Sequence, residues 1–567
     1  QTATGGGTQT GQSGNGYARI LMPESTAFNA GTQTGAVTIG GALNATNVQT
    51  ASTNFTIKIG QTVASGTSNF GANTTLNNIG GFIMGTAANA HNLSVTGSFA
   101  TAATGTAKLS GGVTTTTTQT YAGAVELTGD TTFTTTNSNV VFSGAVDGTT
   151  ANTESITVAA GTGNTTFTGA VGGTTSLKNI SVTTGALTAS AVKADTGITV
   201  TNTAASTISG VISGDASLTK AGASTLTLSG ANTYTGDTNI NAGTLILTGS
   251  LSSSTDVVMT NAAVWNLQAA QTVASLSMAS GNSITNTAGT SSLTVSGTST
   301  LANSITTTGT QTYTGAVTLA ANTALNTTNS AVTFSAGVTG SGYTLTVNAG
   351  SGAISTAALG TSAASLGAVV LNSTGATTLG GATYAASVTT NAGGTVAINT
   401  GTVTTTGAQT YNDAVTLGQA TTLTGTTINT ASTLNGGGNS LTITGNADIG
   451  GAVTNVADLS VSGTTNLAAD VTTTGAQNYG AALALASNVT FTMGAASTAS
   501  GIISGAFDIT KAGSGSFTLA AANTYGGTTN LDAGTLSVTG SLADTAAVTV
   551  ASGATYDVAA TDTIASL

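Results

Sequence analysis

Residues 206–251 read STISGVISGDASLTKAGASTLTLSGANTYTGDTNINAGTLILTGSL, and residues 497–542 read STASGIISGAFDITKAGSGSFTLAAANTYGGTTNLDAGTLSVTGSL. The two align without a gap at an offset of 291 residues and are identical at 28 of 46 positions. Several differences are apolar exchanges: Val211 for Ile502, Leu218 for Ile509, Leu226 for Phe517 and Ile240 for Leu531. Such exchanges keep a buried face while identity drifts elsewhere. Within each copy the pattern has period two, as in Thr225-Leu226-Thr227-Leu228, and stops at Ser-Gly or Thr-Gly. Short alternating runs punctuated by Gly, Asn and Ser read as strands joined by turns. The duplication is therefore a stack of short strands.

A second family of repeats surrounds this one. A Gln-Thr-Tyr or Gln-Asn-Tyr step, followed by a short apolar run, recurs at Tyr121, Tyr313, Tyr411 and Tyr479. Its first two spacings, 192 and 98, fit two copies and one copy of a unit near 97, as the offset of 291 fits three. The last spacing, 68, reads as a unit that has lost turns. With turns of roughly 20 residues, the chain is expected to hold on the order of 28 turns and to form a rod of roughly 130 Å.

Composition agrees with this reading and narrows it. Only 4% of the 567 residues are charged, against about 25% in ordinary domains. Amphipathic helices with solvated charged faces are thus excluded. Aromatic residues are also 4%, too few for the bulky filling of a thick globular core. A thin core of stacked Val, Ile, Leu and Ala fits better, as in a solenoid whose turns pack only on their neighbours. The single Pro is consistent with strands paired on both edges. Net charge is −11 and Arg19 is the only arginine, which disfavours nucleic acid. No apolar run approaches the ~20 residues of a membrane-spanning helix. The absence of Cys excludes disulfide scaffolds and Cys-based metal sites. No signal peptide stands at Gln1, so an exported chain is expected to have lost it.

The segments 218–222 (LTKAG), 232–236 (NTYTG) and 241–245 (NAGTL) together resemble the autotransporter-associated β-strand repeat. The segments 509–513 (ITKAG), 523–527 (NTYGG) and 532–536 (DAGTL) resemble it equally. More loosely, the Gln-Thr-Tyr family is similar to the filler repeats of large bacterial adhesins. The resemblance implies a right-handed parallel β-helix exported through the outer membrane of a Gram-negative bacterium. It also implies fixed structural places for Lys220, Gly222, Asn232, Tyr234, Gly236 and Gly243. Their counterparts are Lys511, Gly513, Asn523, Tyr525, Gly527 and Gly534. Residues 561–567 still read as repeat, like 270–276, so a translocator barrel is expected to have been cleaved or omitted, or replaced by another export route.

Chemistry-bearing residues are few. His91, the only histidine, has no acid or Cys near it in sequence and is expected at a surface or turn position. Lys220 and Lys511 could bind a glycan or pair with Asp215 or Asp508, but their recurrence inside the repeat favours a fixed structural place. The repeated Tyr is expected to wedge a corner with its hydroxyl bonded to backbone. Most aspartates fall in turns, and no Gly-Gly-x-Gly-x-Asp calcium nonapeptide occurs. Glycan lyases and hydrolases need converging carboxylates or basic groups that this chain supplies sparsely. Ice binding, raised by Thr114 to Thr118, needs regular Thr-x-Thr on a flat face, which the irregular repeats argue against.

The fold expected is therefore all-β: a right-handed parallel β-helix, elongated as a rod. Residues 1–35 form a divergent cap or assembly segment, with Tyr17, Arg19, Pro23 and Glu24 as its candidate assembly residues. Residues 36–567 form a continuous β-solenoid, with autotransporter-type repeats at 206–251 and 497–542. Function is expected to be structural: a secreted rod at the bacterial cell surface mediating adhesion or surface architecture. The alternatives are a self-assembling subunit of an extracellular fibre, sheath or surface layer, and a glycan-binding or glycan-degrading β-helix. No enzyme activity, cofactor or metal is expected. The partners expected are further copies, end to end or laterally, and a host-cell or glycan receptor. The outer membrane is reached only through an export or anchoring apparatus outside this chain. The end at Leu567, lacking an obvious cap, is expected to meet another subunit or continue in a longer precursor.

Overall fold

A computed structural model describes residues 35–39, 43–45, 49–50, 55–61, 66–77, 81–559 and 561–567. The cap or assembly segment up to residue 34, including Tyr17, Arg19, Pro23 and Glu24, lies outside the described residues. Those described contain no helix; 53% strand and parallel pairing build a β-solenoid of about 23 turns. Two compact units divide it: residues 1–274 with 287–289, and residues 275–286 with 290–567.

In the first unit each turn lays down three strands, and each strand pairs with its counterpart one turn on. One inward row runs Ile180, Ile198, Leu218, Thr238 and Val257. A second runs Ile208, Leu228, Leu247 and Leu267. A third runs Val125, Val146, Val171, Val192 and Ile212. Strands such as Thr225–Leu228 alternate half-exposed and buried, so the period-two pattern turns Leu226 and Leu228 inward and Thr227 outward. Near its start the core is a column of rings. Phe142 stacks on Tyr121 at 5.0 Å and on Phe167 at 4.8 Å, nearly parallel in both cases.

The second unit repeats the plan. One row runs Val332, Ile354, Thr377, Val396, Val415, Leu434 and Val453, with few breaks in its aliphatic character. Another runs Thr383, Val403, Leu423, Ile443, Val461 and Tyr479.

Turn length departs in both directions from the roughly 20 residues expected from the sequence. Lys108 pairs with Glu126, Leu218 with Thr238, and Ile57 with Phe82, so the step along the chain lengthens across these three pairs. Extra residues bulge at the corners while strand register is kept, which is why the turns are fewer and longer than expected.

Candidate functional site

The Lys, Asn and Tyr side chains of the repeat are buried in the solenoid's interior. Strand Ser217–Lys220 alternates so that Leu218 and Lys220 point inward. The Lys220 ammonium donates to the carbonyl oxygens of Gly222 in its own turn and Ala242 in the next, the latter at 3.1 Å. Lys511 makes the same clasp, donating to Ala512 and Gly513 at 2.9 Å and to Ala533 at 3.0 Å. Both side chains are buried, and burial lowers each ammonium pKa from 10.5 to about 8. The pairing with Asp215 and Asp508 is not made. Asp215 accepts from the Thr235 hydroxyl at 3.0 Å, and Asp508 from the Thr528 backbone N–H at 2.7 Å. Corner carbonyls take the charge instead, because the lysines point into the core while Asp215 faces solvent.

Gly243 and Gly534 complete the clasps. Both hold positive φ, +66° and +74°. A Cβ on Gly534 would stand 2.5 Å from the Gly513 oxygen and 2.9 Å from the Lys511 nitrogen. Gly222, Gly236, Gly513 and Gly527 mark places where the preceding turn's backbone passes too close for a side chain.

Asn232 stitches three turns. Its carboxamide oxygen accepts from Ile212 N–H at 2.9 Å, and its nitrogen donates to the carbonyls of Gly230 at 3.0 Å and Ser250 at 2.9 Å. Asn523 repeats the arrangement with Ile503, Ala521 and Ser541. Tyr234 and Tyr525 are buried, each hydroxyl 2.6 Å from a threonine hydroxyl, Thr238 and Thr529 respectively. Burial raises both phenols, Tyr525 to about 12.

The second repeat family carries a motif that sequence reasoning missed. Gln119, Gln311, Gln409 and Gln477 are buried, and each accepts from the tyrosine hydroxyl two residues on, at 2.9–3.3 Å. Each amide nitrogen donates to a carbonyl six residues back and to another fifteen residues on: Val113 and Thr134 for Gln119, Val403 and Thr424 for Gln409. The tyrosine hydroxyls in both families thus bond to side chains, not to backbone, because inward-pointing rings reach core groups and not corner amides. The fixed Gln-x-Tyr spacing was the available signal.

His91 is also placed differently from the expectation: it is buried, not at the surface. Its Nε2 lies 2.9 Å from Ser68 Oγ, Nδ1 has no partner, and burial lowers its pKa. Gly60 and Gly66 leave the room the ring fills.

Exposed acids act as linkers between turns. Asp130 accepts from Ser155 N–H at 2.8 Å, Asp458 from Ala476 at 2.8 Å and Asp470 from Thr490 at 2.7 Å. Among the described residues one ion pair, Lys108 with Glu126 at 2.7 Å, joins adjacent turns on the surface. Among the described residues no group of three His, Cys, Asp or Glu side chains stands close enough to hold a metal.

These features define a repeat-built parallel β-solenoid whose recurrent polar residues tie one turn to the next. Residues 218–247 and 509–538 match the passenger-associated-transport-repeat family, so the clasps of Lys220 and Lys511 belong to that repeat. The match points to an autotransporter passenger and to the cell exterior. No curated protein and no solved structure matches the chain.

Proposed function

We propose that the chain is a passenger-type surface protein of a Gram-negative bacterium with an architectural role: a spacer that holds adhesive or matrix-building surface away from the cell. The observation that carries this reading is the passenger-associated-transport-repeat, present twice and folded both times into the same inward clasp. Its recurrent polar side chains serve turn-to-turn bonding, which supports a mechanical over a chemical role. The outward faces, rich in Thr, Ser and Asn, are the surfaces offered to other copies or to a receptor.

The test is labelling of intact cells with antibodies raised against the folded solenoid, together with protease treatment from outside. Labelling without permeabilisation, and loss of label after protease, is the expected result. Label that needs permeabilised cells overturns the reading. Deletion of the gene is expected to weaken cell–surface or cell–cell attachment.

A further inference from the structure

One outward face of the first unit carries an ordered array of hydroxyls. Thr132 pairs in register with Thr157, Thr157 with Ser181, Ser181 with Thr199, and Thr199 with Thr219. A second row, two residues further along each strand, runs Thr114, Thr134, Ala159, Thr183 and Thr201. Between the rows lie the buried residues Phe133, Val158, Val182 and Val200, so both rows stand on the solvent side of the sheet. Every node except Ala159 has a hydroxyl, every hydroxyl node except Ser181 also has a methyl, and neither row contains a charge or an aromatic ring.

These hydroxyls bond to nothing within the described residues. Inward threonines behave otherwise: Thr131, Thr135 and Thr184 donate to backbone carbonyls. The outward hydroxyls are therefore available to solvent. The backbone ladder fixes their spacing at about 4.8 Å between turns and about 6.7 Å along a strand. Water bonded to such a grid would take up its two spacings, with the methyls standing between hydroxyl-bound molecules. The between-turn spacing lies close to the shorter repeat of a prism face of hexagonal ice, and the along-strand spacing falls about a tenth short of the longer.

We propose that this face binds ice. Rigidity is already supplied by the fold, so little further ordering opposes attachment. Each node contributes weakly, and the rows engage the crystal together. A crystalline glucan is the rival solid, but its flat sugar faces are held by stacked aromatic rings, and neither row has one. The sequence hides the array because successive members of the first row, at positions 132, 157, 181, 199 and 219, are unevenly spaced along the chain. Corner insertions absorb those differences, so irregular spacing in the chain becomes regular spacing on the face. The inference goes beyond the architectural role and does not depend on the export route.

The experiment freezes a dilute solution of the full chain slowly onto a cold surface, measures the protein taken into the ice, and follows recrystallisation in a parallel sample. Wild type is expected to enter the ice and to arrest recrystallisation. Thr157→Lys or Thr199→Lys, each placing a charge within the grid, is expected to abolish both effects with unchanged circular dichroism. Ser213→Lys puts the same charge on another outward face, paired with Lys193 in the turn before, and is expected to change neither. Exclusion of wild type from ice overturns the proposal, and so does exclusion combined with retention on crystalline cellulose. Equal loss in Ser213→Lys overturns the assignment to this face.

Discussion

The Lys511 ammonium nitrogen lies 3.0 Å from the carbonyl oxygen of Ala533, a full turn further along the chain. A positive charge is thus held within the solenoid by peptide dipoles alone, and it joins two turns that also share ladder bonds, apolar contact and the side-chain bonds of Asp508 and Asn523. Replacing Lys511 with Met keeps most of the stem and removes the donor from three carbonyls. Leaving buried acceptors unpaired costs about 1–3 kcal/mol each, offset by removal of the desolvated charge. The net expectation is a loss of about 2 kcal/mol, confined to the neighbouring turns because solenoid turns are coupled mainly to their neighbours. Hydrogen exchange of the strand amides at 509–531 is the measurement, with faster exchange there and no change at 380–400.

The same burial gives the clasp a pH dependence of definite sign. The folded pKa of Lys220 and Lys511, about 8, lies below the ordinary 10.5. Between these values the unfolded chain binds more protons than the folded one, so stability rises as pH increases from about 8 toward 10. Buried tyrosines act oppositely, because their raised pKa values favour the unfolded chain once phenols ionise above about 10. Denaturation midpoints are expected to climb from pH 8 to 9.5 and to turn over above 10. The rising limb should flatten in the double variant Lys220→Met with Lys511→Met.

The lysine clasp also shows where sequence reading succeeds and where it stops. Alternation in Thr225-Leu226-Thr227-Leu228 exposed the strands, and the copy at offset 291 exposed the stack, because both are properties of neighbouring residues. The repeat itself singled out Lys220 and Tyr234. Their partners were hidden: Ala242 lies a whole turn beyond Lys220, and unequal turn lengths leave that pairing unreadable without the register. Asp215 was one partner the sequence offered Lys220, by charge and nearness. The structure gives Lys220 backbone carbonyls because it points inward, where Asp215 does not reach. His91 failed for a related reason: its cavity is made by Gly60 and Gly66, far along the chain and silent in composition.

The glutamine staple should outweigh its tyrosine partner. In Gln409→Leu the carbonyls of Val403 and Thr424 and the Tyr411 hydroxyl all lose a partner. The expected cost is about 3 kcal/mol or more. Tyr411→Phe removes one hydroxyl and leaves the glutamine's two donated bonds intact, at about 1 kcal/mol. Equal losses in the two variants, measured by denaturant unfolding with local exchange, would contradict the staple.

Acid should loosen the region around His91 before it affects the repeats. Burial holds the folded imidazole pKa below its ordinary 6.5, so the unfolded chain gains the proton first. The stability this neutral ring contributes is full above pH 6.5 and falls as pH drops through that value toward the folded pKa. Amides of strand Asn92–Val95 are expected to lose protection relative to pH 7.5, after correction for the intrinsic exchange rate, while those of Thr225–Leu228 hold theirs. His91→Gln should remove the pH dependence whatever it does to the absolute level of protection.

Gly534 and Lys511 should be coupled, and a double-mutant cycle isolates the coupling. An alanine at 534 brings a strained positive φ and a methyl 2.9 Å from the lysine nitrogen, with carbonyl oxygens of Gly513 and Gly515 nearer still. Strain and oxygen contacts persist whichever residue stands at 511, whereas the methyl–ammonium conflict vanishes once Lys511 becomes Met. Gly534→Ala is therefore expected to cost about 2–3 kcal/mol in the wild type and about 1 kcal/mol less in the Lys511→Met background. Strict additivity of the two losses would mean that the glycine serves the corner alone and leaves the clasp to form without it.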